Sequence, residues 1–355
     1  MAFFKLPTRK KTEEKLAPKK QASKRAARRT TIKPDPRVPL KEGYILEDYN
    51  FGKVIGRGSF SLVYRATEIS TNREVVIKEY FPKHFALRDG PETIMPFDGK
   101  KLFTFTEGFK QFFNEAMALN KISHPHVLKT HNMFRSNKTA YLVSLNIGGR
   151  DLKWFLTTVR EPMDQALIYK VYMPILSALN FLHEAQLLHL DIKPANILLQ
   201  PNSESLLLDF GAAQAMTSSK RINNMQTLTH GFAPPEQYDK ARSLGPWTDI
   251  YAVAATLYFS IACKPPAKSK DSATESKLSI EKYGDRYEHH LLHAINRSLA
   301  YDASNRYDSV DELATALLEG SDWETLRDYE MKVMKYDRFE PATRESQHNL
   351  ASAVA

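Results

Sequence analysis

The chain has 355 residues, of which 42% are apolar and 26% charged, and a formal net charge of +9. This is the make-up of a soluble globular protein with room for one large domain or two modest ones. Cys263 is the only cysteine, which excludes an intrachain disulfide and fits a reducing compartment. The longest strongly apolar run, Tyr251–Cys263, is 13 residues and too short to cross a bilayer. Met1-Ala-Phe-Phe-Lys lacks the apolar stretch of a secretory signal, so a cytoplasmic protein is expected.

The charge is unevenly placed. Residues 1–41 hold 14 Lys/Arg against 3 Asp/Glu, a local +11, which leaves −2 for residues 42–355. With Pro7, Pro18, Pro34, Pro36 and Pro39 and few large apolar residues, residues 1–48 read as a basic, disordered tail. Such a tail either solubilises the chain or tethers it to an anionic partner. Only Phe3 and Phe4 offer aromatic rings there, which tells against nucleic-acid stacking.

From Tyr49 to Tyr80 the pattern is that of strands: Phe51–Ile55, then GRGSFSLV at 56–63, a polar turn at Ser70–Arg73, and Val75-Val76-Ile77-Lys78. Residues 84–105 read as irregular, with turn signals at Asp89-Gly90-Pro91 and Asp98-Gly99. Glu107–Ile122 has helical spacing through Phe109, Phe112, Phe113, Ala116, Met117 and Leu119. Val127–Phe134 and Thr139–Ile147 predict two more strands before the glycine pair Gly148-Gly149. Beyond it the spacing turns helical: Gln165–Glu184 with Pro174 predicting a kink, Asp249–Cys263 apolar all round, Glu288–Ala300, Ser309–Leu318 and Ser321–Lys335. Residues 341–355 read as frayed. A small β-rich part thus precedes a larger helical part.

The densest set of polar groups lies between them and reads HLDIKPANILLQPNSESLLLDFG, His189–Gly211. Two short apolar runs, Ile197–Leu199 and Leu206–Leu208, flank a cluster of turn formers and predict a hairpin. That hairpin holds a loop carrying Asp191, Lys193 and Asn196 next to a second carboxylate, Asp209.

On these residues the chain resembles the eukaryotic-like protein kinases, from about Tyr49 to Glu319. VIKEYFP at 76–82, LDFGAA at 208–213, APPEQY at 233–238 and GPWTDIY at 245–251 resemble bacterial Ser/Thr kinases. The resemblance implies an α+β, bilobal fold. A small β-rich N-lobe (49–147) with one main helix precedes a larger, mainly α-helical C-lobe (150–320), and 321–355 form a helical extension and frayed tail. It implies ATP and Mg²⁺, with Mn²⁺ as a substitute, and a protein substrate with a Ser or Thr acceptor.

The resemblance also assigns roles. Gly56 and Gly58, with Ile55, Arg57, Ser59, Phe60 and Ser61, form the phosphate-covering loop, and Val63 packs on adenine. Lys78 holds the α/β-phosphates while paired with Glu115. Leu145 and Ile147 meet the adenine edge, and Asp151 meets the ribose. Ser144 stands at the gatekeeper position. Asp191 is the base that orients the acceptor hydroxyl, Lys193 neutralises the transferring group, and Asn196 and Asp209 are the oxygen ligands of the metal. Thr229 shapes the hydroxyl site, Glu236 and Arg306 are a buried pair, and Asp249 braces the catalytic loop.

Two departures stand out. Ser61 replaces the family's third glycine, and Leu190 replaces an Arg that in many members reads a phosphorylated loop. Regulation through that contact is in doubt, although Thr217, Ser218, Ser219 and Thr227 offer phosphosites. The leading expectation is an active protein Ser/Thr kinase. A pseudokinase scaffold is the alternative, against which Lys78, Asp191, Asn196 and Asp209 are all present. A small-molecule kinase is disfavoured by the peptide-binding segment Thr229–Glu236.

Overall fold

The computed structural model describes residues 35–120, 123–200, 204–210, 213–216, 228–266 and 280–319. The chain divides into two units, Met1–Asp35 and Pro36–Ala355, and every element below belongs to the second. The tail to residue 34, the loop hydroxyls Thr217, Ser218, Ser219 and Thr227, and the segments 321–335 and 341–355 lie outside the described residues.

The N-lobe opens with strands β1 (Ile45–Leu46), β2 (Tyr49–Arg57), β3 (Ser61–Glu68) and β4 (Arg73–Tyr80). Their alternation of apolar and polar residues puts Phe51, Tyr64, Val75 and Ile77 on one buried face. A hairpin, β5 (Ala86–Asp89) with β6 (Thr93–Pro96), leads to helix α1 (Gly99–Asn120), then β7 (Asn132–Ser136) and β8 (Thr139–Leu145). The antiparallel sheet runs β1-β2-β3-β4-β8-β7.

Three features differ from expectation. The stretch 84–105 is not irregular: it forms the hairpin, and α1 starts at Gly99 because Asp98 Oδ1 accepts from Lys101 N at 3.0 Å, capping the first turn. The run Val127–Phe134 is split. Its first half pairs with the C-lobe, through Leu128 N to Leu207 O (3.1 Å) and Leu207 N to His126 O (2.8 Å), and only the second half enters the sheet. Residues 36–48, assigned to the tail by composition, lie against the sheet, with Leu40 only 3% exposed in the N-lobe core and β1 paired to β2. Prolines and charged residues around Leu40 mask this anchor, which Tyr44 and Leu46 extend.

The C-lobe contains β9 (Arg150–Asp151), α2 (Leu152–Val159), α3 (Gln165–Glu184), β10 (Leu187–Leu188), β11 (Ile197–Leu199), β12 (Ser205–Leu207), β13 (Gln214–Ala215), α4 (Pro235–Tyr238), α5 (Pro246–Ala262), α6 (His289–Ser298) and α7 (Val310–Leu318). Asp164 caps α3 by accepting from Leu167 N at 2.8 Å, and Pro174 sits inside the helix without ending it. Helix α5 is buried nearly all round, as its sequence requires. The predicted hairpin is β11–β12, and β9 pairs with its other edge. Where that edge meets the lobe joint, Gly149 has φ +95°, and a Cβ there would lie 2.3 Å from Leu199 O, so only glycine fits. No helix among the described residues is long and apolar enough to cross a membrane.

Candidate active site

The loop after β10 carries the polar cluster, and its shape is set by one buried carboxylate. Asp249, in the first turn of α5 and fully buried, accepts from His183 Nε2 (2.8 Å), His189 N (2.8 Å) and Leu190 N (2.7 Å). Burial pushes its pKa up, but the His183 contact and the His189 N–H outweigh that and hold it below the usual carboxylate range. These bonds stabilise Leu190 in the left-handed region, φ 63°, which costs a non-glycine residue about 1–2 kcal/mol. From the other side Gln237 Nε2 donates to Leu190 O at 2.8 Å. The Leu190 side chain is 6% exposed and packs with Leu188, Met216 and Leu244.

Next along the loop, the Asp191 carboxylate is fixed on both oxygens. Oδ2 accepts from Lys193 Nζ at 2.6 Å and from Asn196 Nδ2 at 3.1 Å, and Oδ1 accepts from Thr229 Oγ1 at 3.2 Å. Lys193 Nζ also reaches Thr229 Oγ1 at 3.3 Å, so the four expected residues form one network. His189 lies beneath it. Burial pushes its pKa down and keeps the ring neutral, with Nδ1 accepting from Asp191 N (3.3 Å) and Nε2 donating to Leu208 O (3.2 Å). The same ring lies 4.8 Å from that of Phe210, which ties the loop to the Asp209 segment.

Lys78 enters from β4. Its Nζ lies 2.6 Å from Asp209 Oδ1 and 5.4 Å from the ring centre of Phe112 on α1. Asp209 is itself left-handed, φ 55°. Glu115, the expected partner of Lys78, falls on α1, and its side chain lies outside the described residues.

Lys78, Phe112, Asp191, Lys193, Asp209 and Thr229 line one cleft together with Gly58, Ser59, Phe60 and Ser61 and with Leu228, Phe232 and Gln237. Ile55, Gly56, Arg57, Val63, Leu145, Ile147, Asp151 and Asn196 are not among the residues lining it. Val63 stands opposite both Gly56 and Lys78 in the ladder, Ile55 and Leu145 are exposed, and Asp151 caps α2 through Trp154 N at 2.7 Å. Sequence reasoning missed Phe112, whose place on the apolar stripe of α1 was its only signal. It also missed Gln237, a lone amide directly after Glu236.

Among the described residues no group of three or more His, Cys, Asp or Glu side chains is placed to hold a metal. What remains is the Asp209 carboxylate in the cleft and, on the loop that carries Asp191, the buried Asn196 amide. Its Nδ2 donates to Asp191 O and Oδ2, and its oxygen remains an acceptor. That sparse, hard-oxygen set fits Mg²⁺, which retains waters and phosphate oxygens as its other ligands. Away from the cleft, Arg306 and Glu236 form the expected buried pair, with Nη1–Oε1 2.7 Å and Nη2–Oε2 3.1 Å.

Comparison with known proteins agrees with this geometry. Residues 49–321 match the family model described as protein kinase domain. Serine/threonine-protein kinase D of Synechocystis sp. is 26% identical over 284 residues, 77% of this chain and 52% of that protein. The probable serine/threonine-protein kinase CE0033 of Corynebacterium efficiens is 29% identical over 231 residues, 62% of this chain and 32% of that protein. The chain thus spans about half or less of the length of these relatives. A solved structure, "PpkA-294 apo form", superposes with a TM-score of 0.70 at 34% identity, covering 79% of this chain and 99% of that one. The chain belongs to the protein kinase family and is of its bacterial, eukaryotic-like type.

Proposed function

We propose that this chain is a Mg·ATP-dependent kinase that phosphorylates serine and threonine hydroxyls of proteins, its own included. The observation that carries this reading is the Asp191 carboxylate, held by Lys193, Asn196 and Thr229 in the cleft that also contains the Lys78–Asp209 pair. When bound, Mg·ATP supplies the phosphoryl group and a divalent charge against its negative oxygens; Mn²⁺ shares the taste for hard oxygens.

The chain's own residues do the rest by position and charge. Asp209 and the Asn196 amide oxygen hold the ion, Lys78 the phosphates, and the backbone of 56–61 covers them, with Val63 against the adenine. Backbone groups of Leu145 and Ile147 meet the adenine edge. The Asp191 carboxylate orients the acceptor hydroxyl and takes its proton, while Lys193 offsets charge on the transferring group. Thr229 fixes the carboxylate from the substrate side.

Leu190 supports a further point. The loop is held by the Asp249 carboxylate, by Gln237 and by apolar packing, so the catalytic groups are organised without a phosphate. The basic tail supports attraction to an anionic partner, and the single cysteine supports work in a reducing, cytoplasmic compartment.

The test is incubation of the purified chain with labelled ATP, Mg²⁺ and a generic basic protein. Label is expected on Ser and Thr. Asp191→Asn should lower the rate about 10²–10⁴-fold with unchanged melting temperature. Labelling by that variant at the parent rate sinks the assignment of the base.

A further inference from the structure

We propose that Arg37, twelve residues before the stretch matched by the kinase family model, is a positioning residue for the glycine-rich loop. Its guanidinium fixes the loop's exit strand so that the backbone of residues 56–61 is preset for nucleotide phosphates. This rests on the nucleotide-binding reading above.

The carbonyls of Ser59, Phe60 and Ser61 are all engaged. Ser61 O accepts from Gly58 N at 3.0 Å, which closes the turn, and from Arg37 Nη1 at 3.1 Å. The same Nη1 donates to Phe81 O at 2.7 Å, in the segment that follows β4. That segment holds the tip as well: Phe81 N donates to Phe60 O (2.8 Å) and Lys83 N to Ser59 O (2.9 Å). Arg37 thus bridges the start of β3 and the segment after β4, at the point where their ladder ends. It is only 4% exposed, and its guanidinium lies 5.9 Å from the ring centre of Phe81. Hydrogen bonds from a buried cation to carbonyls are about twice as strong as neutral ones.

The hold is reciprocal, because Arg57 of the loop donates to Arg37 O at 3.2 Å. The strap bearing Arg37 is anchored in its turn. Leu40 sits in the N-lobe core, Leu40 N donates to Tyr64 Oη at 3.2 Å, and Arg88 Nε of the hairpin donates to Val38 O at 2.8 Å. Ser61 now makes sense in the third glycine's place: at 6% exposure and doubly bonded at its carbonyl, it occupies a fixed strand and has no use for glycine's freedom. A preset loop loses less conformational entropy when a ligand orders it.

The experiment compares full-length wild type, Arg37→Ala and Arg37→Lys by equilibrium binding of Mg·ATP, by KM for ATP and for a protein substrate, and by melting temperature. For Arg37→Ala we expect Kd and KM for ATP to rise roughly tenfold while KM for the protein substrate stays within twofold. Arg37→Lys, which keeps the charge but not the bridging geometry, should fall between, and it carries the test if the alanine variant does not fold. A Kd for Mg·ATP within twofold of wild type overturns the proposal, as does a proportional rise in both KM values. The binding arm separates this from the kinase reading: a wild type that binds nucleotide but transfers nothing refutes only the latter.

Discussion

Arg306 uses every donor it has. Nε donates to Ala300 O (2.8 Å), Nη1 to Glu236 Oε1 (2.7 Å) and Trp247 O (3.1 Å), and Nη2 to Glu236 Oε2 (3.1 Å) and Tyr301 O (3.1 Å), five bonds for five N–H groups. Its side chain is fully buried and that of Glu236 is 2% exposed. Removing one partner of such a pair strands the other charge and costs about 3–5 kcal/mol, a large part of the roughly 5–15 kcal/mol that stabilises a domain. At about 2–4 °C per kcal/mol for a domain of this size, Arg306→Ala should lower the melting temperature by roughly 6–20 °C. Lysine has three donors and no fork, so Arg306→Lys should recover less than half of the loss. The double variant Arg306→Met/Glu236→Leu leaves no unpaired charge and should cost less than the two single changes summed. The assay is thermal and urea unfolding of the full chain. A shift below 2 °C for the alanine variant, or strict additivity in the cycle, would refute the reasoning.

Three other outcomes follow from particular groups. Burial, with His126 nearby, pushes the His124 pKa down to about 4 from its ordinary 6.5. The unfolded chain therefore takes the proton first, and stability should fall as pH drops from 6.5 to about 4, by on the order of 2 kcal/mol, with no further change from this group below that. His124→Gln should flatten the slope in part, since His126 is also pushed down by burial; equal slopes in calorimetry would count against the argument. Arg88→Ala leaves Glu79, fully buried and bonded to Tyr64 Oη (2.7 Å) and Tyr141 Oη (2.9 Å), without its cation. A loss of about 3–5 kcal/mol is expected, and a loss below 1 kcal/mol in urea titration would contradict it. Phosphatase treatment should reduce kcat/KM less than about threefold, because the Leu190 loop is held by bonds that need no phosphate; a hundredfold drop would show that another cation reads the loop.

The bilobal plan was legible because period-two runs such as Val75–Lys78 and the all-apolar α5 leave little choice of element. The cluster from Asp191 to Asp209 was legible because fixed offsets along a hairpin translate directly into proximity. What escaped is set by long-range bonding. The early start of α1 depends on the Asp98 cap, a one-residue signal inside a stretch otherwise rich in turn formers. The left-handed turn at Leu190 depends on Asp249 and Gln237, 59 and 47 residues away. Arg37 is one cation among 14 in a stretch whose composition argues for disorder.

The Lys78–Asp209 pair has a thermodynamic corollary. At 20% and 42% side-chain exposure, the contact is of the kind that contributes at most about 1 kcal/mol and is readily exchanged. On the proposed kinase reading, a phosphate drawn to Lys78 and a cation drawn to Asp209 would each compete with this contact. The ligand that weakens the contact first would lower the cost of doing so for the second. By linkage the help is mutual and equal in free energy. Under the proposed function, metal and nucleotide binding would thereby be coupled in part through two side chains 131 residues apart in sequence.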